Sequence, residues 1–224
     1  MKRIVIYVEG GGDSTSQQAE LRRGFDQLFI KQKQAAGRKR LSLRFVLSGS
    51  RNGACRDFLV KMRTPEADTV YGLLVDSEDA IALEAPGKSV VNAQVRKRHL
   101  INRDGSELNE VPEERIHLMV HCMEAWIVAD ADALAKYFGA GFKPKKLPAN
   151  KNLEEVPKET LYRQLADATK ETSKGEYSEA NQSKIKHATK LLEVIDPIRV
   201  AARCPRFATF TKWLDDLISP PEKS

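Results

Sequence analysis

Short apolar runs recur along the first part of the chain, and segments with helical spacing separate them. The runs lie at residues 4–8, 43–47, 70–75 and 115–120. Runs of this length that alternate with amphipathic segments predict βαβ units and a mainly parallel sheet flanked by helices. We therefore expect an α/β, Rossmann-like fold.

The segments between the runs divide into helices and loops. Apolar residues at helical spacing predict one helix from Ser14 to Ala36, which ends at Gly37. Its capping box could be Ser14 with Gln17 or Thr15 with Gln18. A second helix is predicted near residues 54–62. The segment from Ile81 to Glu114 is polar and shows no clear period, and so predicts an irregular connection.

Beyond Glu124 the pattern becomes helical. Two short helices are predicted within residues 123–138, followed by further helices around Leu161, Leu191 and Trp213. We predict an α/β core over residues 1–130 and a helical C-terminal part, residues 131–224, that packs on that core.

The size and composition are those of an ordinary soluble protein. The chain has 224 residues, of which 41% are hydrophobic. No apolar run approaches the roughly 20 residues that a membrane span requires, and no leader segment is recognisable. The three cysteines, Cys55, Cys122 and Cys204, are odd in number and far apart, as expected for reduced thiols. We expect a cytoplasmic protein with no membrane contact.

The charge balance favours a polyanionic partner. Lysine and arginine total 37 against 31 acidic residues, a formal charge of +6. The basic residues concentrate locally, at 31–44, 96–99 and 143–151. Such clusters suit the phosphates of DNA or RNA, although each could equally be a solvated surface.

Acidic residues follow three of the apolar runs. Glu9 follows the first run, Asp76 and Glu78 follow the third, and Glu124 follows the fourth. If the chain is extended after residue 75, the Asp76 and Glu78 carboxylates point to one side, about 7 Å apart. Ligands of open parallel sheets bind beyond the carboxyl ends of the strands, and carboxylates gathered there repel one another unless a cation lies between them.

These acids predict a site for Mg²⁺ or Mn²⁺, because both ions prefer oxygen ligands. The alternative interpretation is that each acid caps a helix or lies in its first turn. The glycine run Gly10–Gly12 does not predict nucleotide binding. It lacks a Walker lysine, and Thr15 stands where a dinucleotide fingerprint has its third glycine.

Several short motifs occur in a characteristic order along nearly the whole chain: Val8-Glu9-Gly10, Gly49-Ser50-Arg51, Leu74-Val75-Asp76-Ser77-Glu78, His121-Cys122-Met123-Glu124-Ala125-Trp126, Tyr137-Phe138-Gly139, Leu147-Pro148 and Ile195-Asp196-Pro197. With these motifs the chain resembles the Toprim catalytic domain of topoisomerases, primases and overcoming-lysogenization-defect nucleases. More narrowly, it is similar to a family of small stand-alone Toprim-like proteins, which are often encoded beside an ABC- or SMC-type ATPase and are suspected of anti-phage defence.

The resemblance implies roles for individual residues. Glu9 would act as general base or metal ligand, Asp76 and Glu78 would hold Mg²⁺, and Glu124 would complete the site. Glu78 replaces the second aspartate of the wider Toprim pattern, and its longer side chain alters the expected spacing between two metal ions.

The resemblance also implies a late basic residue that stabilises charge on the phosphate. Lys184 is our choice as the catalytic lysine, with Lys158 and Lys174 as alternatives. Together with Arg51, which lies on a turn beside two small residues, Lys158 and Lys174 are predicted to contact nucleic acid.

The leading functional hypothesis is a Mg²⁺-dependent nuclease that cuts DNA or RNA under the control of a partner ATPase. A homodimer is left open. The alternative is a non-catalytic Toprim-like subunit that binds the ATPase or nucleic acid. A third hypothesis, a small-molecule phosphotransferase, would require a deep specific pocket.

Overall fold

A computed structural model describes residues 1–12, 14–81, 89–178 and 183–220. Its sheet contains four parallel strands in the order β2-β1-β3-β4. The strands are β1 (Arg3–Val8), β2 (Ser42–Leu47), β3 (Thr69–Asp76) and β4 (Ile116–Met119). The predicted α/β, Rossmann-like architecture with a parallel sheet and a helical C-terminal part is thereby confirmed.

Ten α-helices occur among the described residues. They are α1 (Thr15–Leu28), α2 (Ile30–Arg38), α3 (Arg51–Arg63), α4 (Ser89–Asp104), α5 (Glu124–Val128), α6 (Ala131–Phe138), α7 (Lys158–Thr169), α8 (Ser183–Leu192), α9 (Pro197–Arg203) and α10 (Pro205–Ile218).

Alternation along the strands gives the sheet two buried faces. In β1, Ile4 and Ile6 belong to an apolar cluster that also contains side chains of α1 and α10, such as Phe25 and Phe210. Tyr7 points the other way, into a second cluster with residues of α3 and α4. Both faces are covered because successive side chains of a strand point to opposite sides and each side has its own helices.

The predicted helix from Ser14 to Ala36 is two helices. It is interrupted at Phe29, which has φ −102° and ψ 26° and lies between α1 and α2. The Phe29 ring is buried against Phe45 and Phe207, at ring-centroid distances of 5.2 and 5.5 Å. Neither predicted capping box forms: Ser14 is the N-cap but its side chain accepts no capping hydrogen bond, and Thr15 is already the first residue of α1.

Helix α4 occupies part of the segment for which an irregular connection was predicted, while residues 82–88 of that segment lie outside the described part. Its buried face includes a charged residue, Arg96, which is 4% exposed and donates from Nε to the Ile116 carbonyl at 2.8 Å. The neighbouring Lys97 donates to the carbonyls of Asn109 and Val111. Two members of the basic cluster at 96–99 therefore bind the protein's own backbone.

The C-terminal helices extend the larger apolar cluster. That cluster includes Trp126 together with Phe207 of α10, whose ring centroid lies 4.8 Å away. Helix α8 packs along α1, and α10 packs against α2 and β4. Among the described helices, none combines the length and the apolar character needed to cross a bilayer.

Candidate metal centre

The acidic residues gather at the carboxyl edge of the sheet, where the chain order reverses. Strand β1 lies between β2 and β3, so the loops after β1 and β3 leave adjacent strands at a topological switch point. Glu9 follows β1 directly and Asp76 ends β3. The backbone N–H of Asp76 donates to Glu9 Oε2 at 3.1 Å, so the two acids are neighbours in space.

Glu78 reaches the same place through an unusual backbone conformation. Its φ of 65° is left-handed, which costs a residue other than glycine about 1–3 kcal/mol. An extended chain was assumed from the sequence after residue 75, whereas the structure has a turn at Glu78. Backbone hydrogen bonds from Ser77 to Met119 and from Glu78 to His121 hold the turn. The turn brings a Glu78 oxygen to Glu9 and Asp76, and the three ligand atoms lie within 4.8 Å of one another.

These three carboxylates could hold a metal ion. Glu124, the first residue of α5, lies outside this group of three but lines the same cavity of about 240 Å³. Of the four acids predicted to meet, Glu9, Asp76 and Glu78 therefore lie close enough to share an ion, and Glu124 lines the wall of the same cavity.

Glu124 differs from the other acids in its burial. Its side chain is 1% exposed. Oε1 accepts a hydrogen bond from the Tyr177 hydroxyl at 2.8 Å and lies 3.4 Å from Lys184 Nζ. Oε2 is buried with no hydrogen-bond partner among the described residues. A buried carboxylate oxygen without a partner is costly, and a cation or water in the cavity would remove that cost.

One arginine lies among the acids. Arg51, the first residue of α3, is 13% exposed and contacts three carboxylates through Nε, Nη2 and Nη1. The partners are Glu9 at 3.3 Å, Glu78 at 3.1 Å and Asp104 at 3.1 Å. Burial opposes the charge of Arg51, but these acids outweigh that effect and raise its pKa. The residue predicted to contact nucleic acid therefore neutralises part of the acidic centre.

Two of the three lysines named from the sequence line the cavity. Lys158, at the start of α7, contacts Glu78 Oε2 at 2.6 Å. Lys184 contacts Glu124 and also donates to the hydroxyl of Tyr162. The ring of Tyr162 lies beneath both, 5.7 Å from Lys158 Nζ and 4.7 Å from Lys184 Nζ. Lys174 is instead exposed and lies over the Tyr137 ring at 4.9 Å.

Two carboxyl groups of the centre, those of Asp76 and Glu9, have pKa values above the ordinary ones. Burial, and then the charges of Glu9 and Glu124, raise the pKa of Asp76 well above its ordinary value. Burial also raises the pKa of Glu9, although Arg51 acts in the opposite direction. Among the described residues no cation forms an ion pair with Asp76, whose Oδ1 accepts from the Met123 N–H at 3.1 Å. Asp76 is therefore the acid most open to an incoming cation.

Glycines allow the loops after β1 and β2 to approach each other. Gly10 and Gly49 form an antiparallel bridge with hydrogen bonds in both directions, at 2.7 and 3.2 Å. Gly49 has φ 72°, and a Cβ there would lie 2.7 Å from the Gly12 carbonyl oxygen. A larger residue could not keep this contact, so the glycines set the cavity wall beside Glu9.

Sequence reasoning missed Asp104, Tyr162 and Tyr177. Tyr177 is 1% exposed and bonds Glu124 across 53 positions of chain. Asp104 and Tyr162 likewise lie far along the chain from the residues they bind, Arg51 and Lys184. No local spacing marks such residues, because only the tertiary fold brings them to the acids.

Comparison with known proteins gives one result. A family model described as "Domain of unknown function (DUF4276)" matches residues 8–215. No curated protein and no solved structure matches the chain.

Proposed function

We propose that this chain, which belongs to the family described as a domain of unknown function (DUF4276), is a metal-dependent nuclease that hydrolyses phosphodiester bonds in DNA or RNA. One observation carries the proposal: oxygens of Glu9, Asp76 and Glu78 lie within 4.8 Å of one another at the switch point of a parallel sheet. Three such groups leave open positions for water and phosphate on a divalent ion.

The donor set suits Mg²⁺ or Mn²⁺, because all three ligand atoms are carboxylate oxygens. When bound, such an ion would lower the pKa of a water and offset charge that develops on the phosphate. Asp76 and Glu78 would hold the ion. Glu9, whose pKa burial raises, would bind the ion or accept the proton of the attacking water.

Two lysines supply positive charge to the same cavity. Lys184 and Lys158 both line it, and each is bound to an acid of the site or its wall. A phosphate that enters the cavity would compete with those acids for the two ammonium groups. We assign Lys184 to the stabilisation of charge on the transferring phosphate, and Lys158 to contact with a neighbouring phosphate.

The relation to Toprim nucleases, the control by an ABC- or SMC-type ATPase and the role in cytoplasmic anti-phage defence are part of the same proposal. Their support is the order of the motifs from Val8-Glu9-Gly10 to Ile195-Asp196-Pro197. The acids of those motifs follow β1, β3 and β4.

A second candidate is a non-catalytic subunit of the same shape. The contacts of Arg51 with Glu9 and Glu78, and of Lys158 with Glu78, favour it. These cations already neutralise part of the acidic charge, so the centre could serve stability and leave the basic surface to bind a partner.

The two candidates separate in one experiment. Plasmid DNA, single-stranded DNA and tRNA are incubated with wild type, Asp76→Asn and Asp79→Asn, in Mg²⁺, Mn²⁺ or chelator. Asp79 is a matched control, because it lies three residues away, is 68% exposed and pairs with Arg103 outside the cavity. We expect metal-dependent cleavage that Asp76→Asn lowers by about 10²- to 10³-fold and Asp79→Asn leaves nearly unchanged.

Cleavage that persists in chelator, or that survives Asp76→Asn, would contradict the nuclease. Salt-sensitive binding without cleavage, equal in all three proteins, would favour the non-catalytic subunit.

A further inference from the structure

A second cavity lies between α1 and α8, outside the acidic centre. Its volume is about 490 Å³. We call it the α1–α8 groove, and define it by its lining residues: Gln17, Glu20, Arg23, Ile185, Lys186, Thr189 and Lys190.

The groove is mainly cationic. Arg23, Lys186 and Lys190 are exposed and face a single lining acid, Glu20. Lys186 and Lys190 are four residues apart and so lie on one face of α8, where like charges destabilise a helix by about 0.2–0.5 kcal/mol. Lys190 is partly offset by Glu193 at 3.1 Å. An anion in the groove would relieve the remaining repulsion.

A buried hydroxyl also lines the groove. Thr189 is 2% exposed, and its Oγ1 has no hydrogen-bond partner among the described residues. Buried hydroxyls are normally bonded, so this one lacks a partner that a ligand oxygen could supply. A groove lined by this threonine and by three cations is a suitable environment for a phosphate group.

The groove adjoins the acidic cavity. Ile185 lines both. Helix α8 presents Lys184 to the acidic cavity and, two residues later, Lys186 to the groove. A chain of phosphates could therefore pass from one to the other along α8.

We propose that the α1–α8 groove binds the phosphate backbone of the nucleic-acid strand whose neighbouring phosphate enters the acidic cavity. This rests on the proposed nuclease function and identifies where the strand leaves the site. No aromatic side chain occurs among the described lining residues. Recognition is therefore through phosphates and not through stacked bases, and it is independent of sequence.

Binding is measured without catalysis. The probe is a labelled single-stranded DNA of about 16 nucleotides, followed by fluorescence anisotropy in EDTA over a range of salt concentrations. The variant Arg23→Ala/Lys186→Ala/Lys190→Ala removes the groove cations. The control Lys2→Ala/Arg22→Ala/Lys136→Ala removes three exposed cations that lie outside the described groove lining and outside the basic clusters of the sequence.

Both triple variants change the net charge equally, so only position distinguishes them. We expect the groove variant to bind at least about tenfold more weakly, with a slope of log K against log salt shallower by about 2, since each single-strand phosphate contact contributes about 0.7. The control should stay within about twofold of wild type. Thr189→Val should weaken binding less than the triple variant does.

Equal losses in both triple variants, or no binding by the wild type, would overturn the proposal. Groove-dependent binding without metal-dependent cleavage would support the groove and refute the nuclease. Metal-dependent cleavage together with equal binding by wild type and the groove variant would support the nuclease and refute the groove.

Discussion

Two carboxylates are equally buried in this protein, one at the carboxyl edge of the sheet and one under the C-terminal helices. The side chains of Glu124 and Glu154 are each 1% exposed. Glu154 uses both oxygens on one residue of α10, because it accepts from the Arg206 backbone N–H at 2.7 Å and from Arg206 Nη1 at 2.9 Å. Glu124 accepts from Tyr177, and its other oxygen has no hydrogen-bond partner among the described residues.

The difference shows what burial alone does not reveal. Arg206 is itself 3% exposed, so the Glu154 pair is closed and ties α10 to the loop before α7. Glu124 faces a cavity shared with Asp76 and Lys184. A buried acid with all its bonds made stabilises the fold, whereas one with an unused oxygen on a cavity is placed for a ligand.

The largest expected effect tests this comparison directly. Glu154→Gln leaves the buried Arg206 charge without its counterion and should lower the free energy of unfolding by about 3 kcal/mol or more. Glu124→Gln keeps an acceptor for Tyr177, and Lys184, which pairs with Glu124, is 25% exposed, so the cost should be only about 1 kcal/mol. Urea denaturation of both variants and wild type measures the difference. Equal losses would show that Glu124 is as structural as Glu154.

A divalent ion should stabilise the folded protein by binding to the acidic centre at the sheet edge. At an ion concentration of about 100 times Kd, binding to the folded state alone adds about 2.7 kcal/mol to the free energy of unfolding. Thermal unfolding with and without Mg²⁺ or Mn²⁺ measures the gain. It should vanish in Asp76→Asn and persist in Glu154→Gln, and a gain retained by Asp76→Asn would place the ion elsewhere.

The stability of the ion-free protein should depend on pH with an unusual sign. An acid in an ordinary ion pair has a lowered pKa and stabilises the fold more as pH rises, whereas Asp76 should do the opposite. Because the folded-state pKa of Asp76 is raised, the folded ion-free protein binds more protons than the unfolded chain between the two pKa values. Stability should therefore fall as pH rises from the ordinary pKa of an aspartate through the raised one.

Asp76→Asn should reduce this fall to the part that the raised pKa of Glu9 contributes, and should leave the ion-free protein at least as stable as wild type near neutral pH. The effect should be smaller than that of the ion, since a proton neutralises one charge where a divalent ion offsets two. Unfolding midpoints measured in chelator across acidic and neutral pH decide it. An unchanged pH profile in the variant would mean that Asp76 is not the group responsible.

The smallest effect concerns the lysines that border the acids. Tyr162→Phe removes the hydroxyl that accepts from Lys184 and retains the ring beneath Lys184 and Lys158. Loss of one such hydrogen bond, worth about 1 kcal/mol, should lower the cleavage rate about fivefold with little change in the unfolding midpoint. A lower midpoint with a normal rate would instead make Tyr162 a packing residue.

Much of the sheet could be predicted because its signals are local. The apolar runs predicted β1 to β4 to within one residue at each end, and the acids at their ends indicated where Glu9 and Asp76 would meet. The carboxyl ends of neighbouring parallel strands lie at the same edge of the sheet, so the positions of these two acids followed from the strand assignment alone.

Helix α4 could not be predicted for a physical reason. Its buried face carries Ala93, Arg96 and Leu100, at positions suited to a helix, but the arginine breaks the apolar pattern. Arg96 tolerates burial because it donates to the Ile116 carbonyl, a contact 20 positions away. In the sequence, a buried arginine that donates to a distant carbonyl cannot be distinguished from an arginine on the surface.

The acidic centre was only half predictable for the same reason. Its acids follow strands, but the contacts of Arg51 with Glu9, Glu78 and Asp104 join residues 27 to 53 positions apart. The left-handed turn at Glu78 also could not be predicted, because the position is not a glycine or an asparagine, the residues that usually adopt this conformation.

Arg51 has one more consequence. A single guanidinium connects the segment after β1, the turn after β3 and the end of α4, so these three pieces of chain are held in register before any ligand arrives. The carboxylates are thus preorganised, and an arriving ion exchanges with an internal counterion without having to order a loose loop.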